Sequence, residues 1–564
     1  MRVQRRPAHL ALLALLVVAG IYLCSFLLLP SAGFWINDNG SKFIQLRAIV
    51  AGGYRDYSIA LPGRAVDPDL EYNPLLPPSF HVQGKKLYCQ YSLAFALLSS
   101  FPQRLFGQRG LYFLPLLASL LMLAGCGRLA RLLGGDATAS AAAVLLAGLA
   151  TPTWFYSQTF WEHTSAACLV VWGLYHLLRS LPAGDSRRIF LGSLLLALAV
   201  SFRDELYLFW PLAVGTVLLR AKARRAAAAL AAVAGGAAGI LPLLALQGAA
   251  LGSILGFHVE NSLPVSGLAP YLASRPRVFY ELYLALGAHP ALSLALTAPF
   301  LAATFFGSRL ARRSAALPVI AVLGALAGLV LLGGFRSGAT MMPWLMASNS
   351  LWPAAPVIVL ASLAIPSAGE GDRRRAALLQ LALVYALLYG LASPAWRTQG
   401  LHWGNRLLFV LYPLLAVPAG ITLVAAWRAP GAGRQVRRAA LAALLVVSFA
   451  AQVYALGLLR DRMGLSMRLE SAVRENPGEV VLTDLWWVPQ ELPNVVFERP
   501  VFYLRSPRAL PGLLERLCRS GYRRTLFITR PGGGGVSAPH RRLEDPRFDF
   551  FAVDLLPGTT CRGD

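Results

Sequence analysis

A single acidic residue stands where the first apolar run of the chain gives way to polar sequence. That run covers residues 8–30, and the stretch FWINDNGSKFIQLRAIVAGG follows it with Asp38 as its only carboxylate. An acid at this point has two interpretations. Asn37 or Asp38 could cap the helix that begins here, or Asp38 could take a proton from a hydroxyl group that arrives from water. The residue types alone leave both open.

The residues after Asp38 predict a helix that lies in the membrane interface. Its apolar side chains are expected to form a partial lipid face made of Phe43, Ile44, Leu46, Ile49 and Val50. The stretch LYCQYSLAFALLSSFPQRLFG is only moderately apolar and predicts a second interfacial helix. If this stretch were a transmembrane span, every later basic cluster would lie on the outer side of the membrane.

Several cations in the polar segments could hold a phosphate group. They are Lys85 and Lys86 before the second interfacial helix, Arg203 in SFRDELYLFWP, and Arg406 in WGNRLLFVLYPL. A guanidinium group matches two phosphate oxygens at once, whereas a lysine acts as a point charge. Arg203 could equally be an anchor held in a salt bridge. Trp403, close to Arg406, suits either a sugar face or the aromatic belt of the membrane interface.

Acid and imidazole groups also occur in these segments. Glu162 and His163 precede a predicted span, and His258 lies in a later polar segment. The three could ligate a divalent metal ion, which would then be a cofactor. Without a metal, they are candidate substrate-binding or supporting residues. Glu162 could also be a helix cap that faces solvent.

The composition indicates the class of protein that must position these groups. Of 564 residues, 56% are hydrophobic and 14% are charged, which is typical of a polytopic helical membrane protein. The net charge of +25 does not indicate nucleic-acid binding, because the arginines lie in short clusters such as RVQRR, RAKARR and GAGRQVRR between apolar runs. Such clusters are typical of cytoplasmic loops.

Placing every basic cluster inside predicts about thirteen transmembrane helices, a cytoplasmic amino terminus and an outer loop over residues 31–108. The spans are expected near 8–30, 109–130, 138–157, 163–180, 187–202, 205–221, 226–246, 288–307, 315–334, 350–366, 376–392, 406–427 and 438–456. Residues 1–457 would then form the membrane domain.

Residues 458–564 predict a small extracytoplasmic α/β domain. EVVLTDLWW, PVFYLRS, RTLFITRP and FDFFAVDLL are strand candidates, and ALPGLLERLCRSG is an amphipathic helix that ends at a glycine. Cys518 and Cys561 either form a disulfide bond or remain two free thiols.

Taken together, these segments resemble the GT-C superfamily of membrane glycosyltransferases, such as the bacterial lipid A aminoarabinose transferases and the protein O-mannosyltransferases. The resemblance rests on NDNGSKF after the first span, GKKLYCQYSLAFALLSSFPQRLFG, YSQTFWEH and WGNRLLFVLYPL. Asp38 is followed by Asn39, where the family often has a second acid, which argues against a protein O-mannosyltransferase.

The resemblance implies a GT-C fold in the bacterial inner membrane and an inverting transfer of a sugar. The donor would be a polyprenyl-phosphate-linked sugar and the acceptor an extracytoplasmic lipid, glycan or protein. Asp38 would be the general base, and Lys86 (or Lys85), Arg203 and Arg406 would hold the donor phosphate. Glu162 would support the site or contact a metal.

Three other classes of membrane protein remain as alternatives, and one of them is a structural membrane component whose exported domain binds a partner. A polysaccharide ligase also uses polyprenyl-linked sugars, but its long outer loop is usually late in the chain. A lipid or solute transporter would be expected to carry charges within its spans and to contain an internal repeat. Neither pattern is evident in the sequence.

Overall fold

The computed structural model describes residues 9–181, 183–220, 225–261, 267–284, 350–363, 370–394, 402–431, 433–476, 478–530, 540–543 and 549–554. Most of these residues are helical. The helices are α1 His9–Leu28, α2 Asn37–Ala51, α3 Leu93–Phe106, α4 Phe113–Leu132, α5 Ala137–Leu149, α6 Thr153–Ser157, α7 His163–Arg179, α8 Ser186–Val200, α9 Leu206–Arg220, α10 Arg225–Leu251, α11 Phe257–Glu260, α12 Leu268–Ala273, α13 Arg275–Phe279, α14 Leu351–Ala354, α15 Val359–Ser362, α16 Glu370–Ala392, α17 Leu411–Arg428, α18 Arg434–Glu475, α19 Val488–Glu491, α20 Val495–Glu498 and α21 Leu510–Arg519.

The described strands form two sheets. The strands are β1 Phe80–Gln83, β2 Lys86–Cys89, β3 Val480–Thr483, β4 Val501–Tyr503, β5 Arg524–Thr529, β6 His540–Leu543 and β7 Asp549–Asp554. β1 and β2 form an antiparallel hairpin. The other five have the order β4-β3-β5-β7-β6, with β3 parallel to β4 and β5, and β7 antiparallel to β5 and β6.

The chain divides into two compact units. The first contains Met1–Leu28, Tyr112–Ala245 and Ser262–Leu458, and the second contains Leu29–Leu111, Leu246–Asn261 and Leu459–Asp564. Two of the boundaries fall inside helices, one in α10 and one in α18. The second unit therefore combines the carboxyl-terminal sheet with the polar segment that follows the first span.

Six helical segments among the described residues are long and apolar enough to cross a membrane, and the protein is a multi-pass membrane protein. They are His9–Leu28, Leu93–Leu132, Arg225–Leu251, Gly371–Ala392, Leu411–Arg428 and Arg434–Glu475. A 3₁₀ segment, Gly107–Tyr112, divides Leu93–Leu132 into α3 and α4. Shorter apolar helices, α5 and α9, match two more predicted spans in part.

Two predicted spans were wrong as continuous helices, and prolines account for both. The expected helix over 138–157 ends at Leu149, and Pro152 precedes a separate turn of helix, α6. The expected helix over 350–366 consists of α14, a 3₁₀ turn at Pro356–Ile358, and α15. Proline lacks the N–H that continues a helix, and it disfavours helical geometry in the residue before it.

The helix that contains the last predicted span is longer than that span. It was expected over 438–456, but α18 extends to Glu475 and passes the expected domain boundary at 457. The predicted spans at 288–307 and 315–334 lie outside the described residues.

Close backbone approach holds neighbouring helices together in the first unit. A Cβ atom added to Gly173 of α7 would lie 3.0 Å from the carbonyl oxygen of Gly192 in α8, and one added to Gly192 would lie 2.8 Å from that of Gly173. Small residues at such crossings let membrane helices pack by dispersion where the surrounding lipid gives no hydrophobic drive.

In the second unit, α2 is a core helix, and the expectation of a lipid face was wrong. Phe43, Ile44, Leu46 and Ile49 are all 2% exposed or less. Ile44 packs in a core cluster with residues of β1, β2, β3, β5 and α18. An apolar stripe on a short helix suits a protein core as well as lipid, and here the sheet and hairpin cover it.

The carboxyl-terminal strands and helix that the sequence predicts are present. β3, β4, β5 and β7 fall within the four strand candidates, and α21 falls within ALPGLLERLCRSG. Leu513, Leu514 and Leu517 of α21 pack on Leu482 and Phe527 of the sheet. Cys518 is disulfide-bonded, and Cys561 lies outside the described residues.

Candidate functional site

Asp38 lies in the first turn of α2, and neither it nor Asn37 caps the helix. The capping residue is Ile36, whose backbone N–H donates to Oδ1 of Asn39 over 3.3 Å. The expectation that Asn37 or Asp38 is the cap was therefore wrong. The Asp38 side chain is half-buried, and its charge is favourable near the positive end of the helix dipole.

The hydroxyl group of Tyr91 orients the Asp38 carboxylate. Tyr91 Oη donates to Asp38 Oδ1 over 2.7 Å, and Ser79 Oγ lies 3.2 Å from the same hydroxyl. Gln45, one turn beyond Lys42 on α2, donates to the Tyr91 carbonyl over 2.9 Å. Burial, together with the charge of Asp38, raises the pKa of Tyr91, so the phenol remains a neutral donor.

A buried lysine completes this group, which we call the acid–tyrosine cluster (Asp38, Lys42, Ser79 and Tyr91). Lys42 is 1% exposed, and its Nζ lies 3.9 Å from the centre of the Tyr91 ring. A cation over an aromatic face is stabilised by about 0.5–2 kcal/mol. Lys42 is four residues after Asp38 on one helix, so the two side chains lie on the same face.

Lys85 and Lys86 occupy the β1–β2 hairpin and are exposed. Lys86 Nζ lies 2.9 Å from Asp56 Oδ2. The backbone N–H of Ser58 and the side chain of Lys86 lower the pKa of Asp56 to about 2. The backbone carbonyl of Lys85 accepts from Arg64 over 2.8 Å. Both lysines of the hairpin are therefore exposed, and the Lys86 ammonium group is paired with Asp56.

A segment from far along the chain packs against the hairpin. Asn261 Nδ2 lies 2.7 Å from His81 Nε2 and 3.0 Å from Gln90 Oε1. The ring of His258 lies 6.1 Å from that of Tyr91. His258 is thus beside the acid–tyrosine cluster, in the second unit.

Arg203, Glu162 and Glu205 form a buried ionic group in the first unit, which we call the arginine–glutamate cluster. Arg203 Nη1 lies 2.9 Å from Glu162 Oε1, and Arg203 Nε lies 2.8 Å from Glu205 Oε1. All three residues are less than a tenth exposed. Glu162 precedes α7 but is 2% exposed, so the interpretation as a solvent-facing cap was wrong.

The first residue of α7, His163, sits in an aromatic box. Its ring centre lies 4.9 Å from that of Tyr156, 5.2 Å from that of Trp161 and 5.9 Å from that of Phe409. The Arg406 guanidinium lies 5.8 Å from the Trp161 ring centre. The sequence segments YSQTFWEH and WGNRLLF thus meet around one imidazole.

A tight turn places Arg406. Gly404 has φ +64°, and a Cβ atom there would lie 2.5 Å from the Tyr412 hydroxyl, so only glycine suits the position. Asn405 accepts from the backbone N–H groups of Leu407 and Leu408, which fixes the turn. The Asn405 side chain also donates to the carbonyl of Leu282 over 2.9 Å.

Trp403 is enclosed by protein, and the expectation of an aromatic belt at the membrane boundary was wrong. It is 4% exposed, and its indole N–H donates to Gln452 Oε1 over 3.0 Å. That glutamine also donates to the carbonyl of Ala354. The contacts of this tryptophan hold α18 and the WGNR turn together.

Within the described residues, no three His, Cys, Asp or Glu side chains are grouped so that they could hold a metal ion. The expected metal set of Glu162, His163 and His258 therefore has no support in the geometry. Glu162 forms an ion pair with Arg203. The imidazole of His163 packs against aromatic rings.

Lys42 and Tyr91 were not among the site residues predicted from the sequence. Lys42 carried a usable signal, because a lysine four residues after an acid on a predicted helix shares its face. Tyr91 carried none, since it lies 53 positions from Asp38.

Comparison with known proteins identifies the fold. No protein-family model matches the chain, and no curated protein matches it in sequence. Two solved structures of ArnT from Cupriavidus metallidurans are similar. The one bound to undecaprenyl phosphate is 11% identical, covers 97% of this chain and 99% of its own, and has a TM-score of 0.51.

The apo form of ArnT is 12% identical and covers 95% of this chain and 97% of its own, with a TM-score of 0.50. An oligosaccharyltransferase from Archaeoglobus fulgidus is 13% identical and covers 92% of this chain and 69% of its own, with a TM-score of 0.46. At these identities the likeness to ArnT concerns the fold alone. The chain therefore has the GT-C fold, as ArnT does.

Proposed function

We propose that this protein is a membrane glycosyltransferase that transfers a sugar from a polyprenyl-phosphate-linked donor to an acceptor outside the cytoplasm. The acceptor would be a lipid, a glycan or a protein. The observation that carries the proposal is the half-buried Asp38 carboxylate, held by the Tyr91 hydroxyl at 2.7 Å, in a chain with the fold of ArnT. One ArnT structure contains undecaprenyl phosphate.

In the proposed reaction, Asp38 is the general base of an inverting displacement. Its carboxylate takes the proton of an acceptor hydroxyl while that oxygen bonds to the anomeric carbon of the donor sugar. The bond between that carbon and the phosphate oxygen breaks, and polyprenyl phosphate leaves as an anion. The hydrogen bond from Tyr91 to Oδ1 of the carboxylate would hold the base in a fixed orientation.

Cations would stabilise the charge that develops on the leaving phosphate. Lys85 and Lys86 are exposed and suit this role in the second unit. In the first unit, Arg406 and Arg203 are further candidates for the donor phosphate. Arg203 already gives Nε and Nη1 to carboxylates, and these contacts favour the alternative role of an anchor that holds Glu162 and Glu205.

We further propose an amino terminus in the cytoplasm and the carboxyl-terminal sheet outside, in a bacterial inner membrane. About thirteen spans would cross that membrane. The support is the clustering of arginines in the loops that this orientation places inside. Reaction of single introduced cysteines with an impermeant thiol reagent tests it, and labelling of a 458–564 cysteine only in broken cells would overturn it.

The test of the base is Asp38→Asn. The amide keeps an oxygen that can accept from Tyr91, so the local structure is retained while the base is lost. We expect transfer to fall by about 10²–10⁴-fold. The assay is mass spectrometry of envelope lipids and glycans from cells that express the chain, read as sugar additions that depend on it.

The matched control is Asp69→Asn, an exposed acid on the same unit, which should transfer sugar normally. Full transfer by Asp38→Asn would refute the assignment of the base.

Binding of undecaprenyl phosphate to the purified protein tests the rival functions. Failure to bind it, or binding unaffected by Lys86→Ala, Arg406→Ala and Arg203→Ala, would favour a transporter. Transfer of a whole polysaccharide would favour a ligase.

A further inference from the structure

A cavity of about 340 Å³ lies in the first unit among α1, α4 and α5. Its volume is within the range of about 300–1,000 Å³ that is usual for small-ligand sites. α1 contributes Leu12 and Leu15, α4 contributes Ala124, and α5 contributes Val144. None of the residues assigned to the proposed reaction lines it.

The floor of this cavity is apolar. Gly127 of α4 has no side chain, and a Cβ atom there would lie 3.1 Å from Val144 Cγ2. The one hydroxyl in the lining, that of Ser140, donates to the Gly127 carbonyl over 2.7 Å. Its hydrogen is therefore used within the protein. An occupant meets mainly carbon atoms below it.

Two arginines, Arg128 and Arg131, line the cavity as well. They are exposed and three residues apart on α4, so they lie on one face. The nearby acid Asp136 caps the amino terminus of α5 and pairs with Arg428. In the described part of the chain, neither lining arginine has an ion pair with a carboxylate. Two guanidinium charges therefore stand beside an apolar cleft.

The cleft adjoins a helix that presents apolar side chains outwards. Leu12 and Leu16 of α1 are 53% and 60% exposed, and α1 is apolar and long enough to span a membrane. In a bilayer these leucines meet acyl chains. The apolar floor would add no binding energy for a water-soluble anion, and the arginines would add none for a hydrocarbon. The lining therefore suits a molecule with both an anionic group and an apolar chain.

We propose that this cleft binds an anionic phospholipid of the surrounding bilayer. One acyl chain would lie on the floor formed by Gly127 and Val144, and the headgroup phosphate would contact Arg128 and Arg131. One guanidinium group can donate hydrogen bonds to two phosphate oxygens at once. Basic pockets between membrane helices are suited to anionic headgroups. The inference does not depend on the proposed glycosyl transfer.

The test is native mass spectrometry of the full chain released from nanodiscs that contain phosphatidylglycerol and phosphatidylcholine. We expect preferential retention of phosphatidylglycerol by the unaltered chain. In the double variant Arg128→Gln, Arg131→Gln, retention should weaken roughly tenfold to thirtyfold, because each charge contact contributes about a fivefold preference.

Two further variants complete the test. Arg187→Gln with Arg434→Gln removes the same charge from exposed arginines outside the cavity and should leave retention unchanged. Ala124→Phe fills the cleft without changing any charge and should weaken the retention of phosphatidylglycerol. Thermal unfolding of each variant verifies that it is folded.

Three results would overturn the proposal. They are equal retention of both lipids, an equal loss in the control pair, and full retention in Ala124→Phe. The last would mean that only the headgroup is bound, as for a soluble anion.

Discussion

Removing the Arg203 guanidinium should destabilise the first unit more than any exposed charge change. Arg203 is 9% exposed by side chain, and its partners Glu162 and Glu205 are 3% and 4% exposed. At 2.9 Å and an effective dielectric constant of about 20, each contact is worth roughly 6 kcal/mol before desolvation. Arg203→Met would leave two carboxylates buried without their cation.

The expected loss is therefore about 3–5 kcal/mol in the free energy of unfolding, the usual cost of breaking a buried pair. It can be measured by unfolding the purified protein with SDS in mixed micelles, followed by tryptophan fluorescence. The control Arg187→Met removes an exposed arginine and should change the free energy of unfolding by no more than about 0.5 kcal/mol.

A triple variant separates charge from packing. Arg203→Met combined with Glu162→Gln and Glu205→Gln removes all three charges, and most of the lost stability should return, because neutral replacement of a buried ionic group is often tolerated. A loss below about 1 kcal/mol in Arg203→Met, or a triple variant as unstable as the single one, would refute the reasoning.

Three other substitutions probe the second unit. Tyr91→Phe removes a hydrogen bond to a charged group, and such a bond is worth about 1.5–3 kcal/mol. If Asp38 is the base, this loss should lower kcat in a transfer assay by about tenfold to a hundredfold and leave KM little changed. Gly40→Ala should cost about 1–3 kcal/mol of unfolding free energy, since the added Cβ would lie 1.7 Å from the Gln490 carbonyl oxygen. The pKa of Asp56, about 2, is below the ordinary aspartate value of about 3.9. The ionised Asp56 carboxylate therefore stabilises the fold fully at pH values above about 3.9, and this stabilisation is lost as pH falls through about 2. In Asp56→Asn the thermal midpoint should depend less on pH between about 4 and 2.

Each of these has a control or a result that would contradict it. Gly20→Ala adds a methyl group where nothing lies within 4 Å, so it should be neutral or stabilising, and equal losses at the two glycines would contradict the packing argument. Unchanged kcat in Tyr91→Phe would mean that the phenol does not orient the base. An Asp56→Asn protein with the pH profile of the parent would mean that this ion pair contributes little.

Much of the local structure follows from the sequence. A run of about 20 apolar residues has few alternatives to a membrane helix, which is why α1, α10 and α17 lie close to their predicted places. In the carboxyl-terminal segment, alternating and continuous apolar patterns predicted strands such as β3 and β5. Prolines at known positions explain where the predicted helices broke.

The sequence did not reveal which face of a helix is buried or which side chains pair with one another. The apolar stripe of α2 was consistent with lipid or with protein, and only the packing of the sheet and hairpin around Ile44 decided between them. Glu162 had the sequence position of a helix cap, yet its partner lies 41 residues away at Arg203. The choice between a solvent-facing charge and a buried one belongs to the tertiary structure.

The sequence by itself determined that this is a membrane protein, where most of its helices lie, and that Asp38 follows the first span. The tertiary structure decided that Tyr91 meets Asp38, that Lys42 is buried beside it, and that Asn37 contacts Gln490, 453 positions away. Helix formation and insertion depend on short contiguous runs, which composition and spacing reveal. Side-chain pairing between distant segments depends on how the whole chain packs, and no local pattern records it.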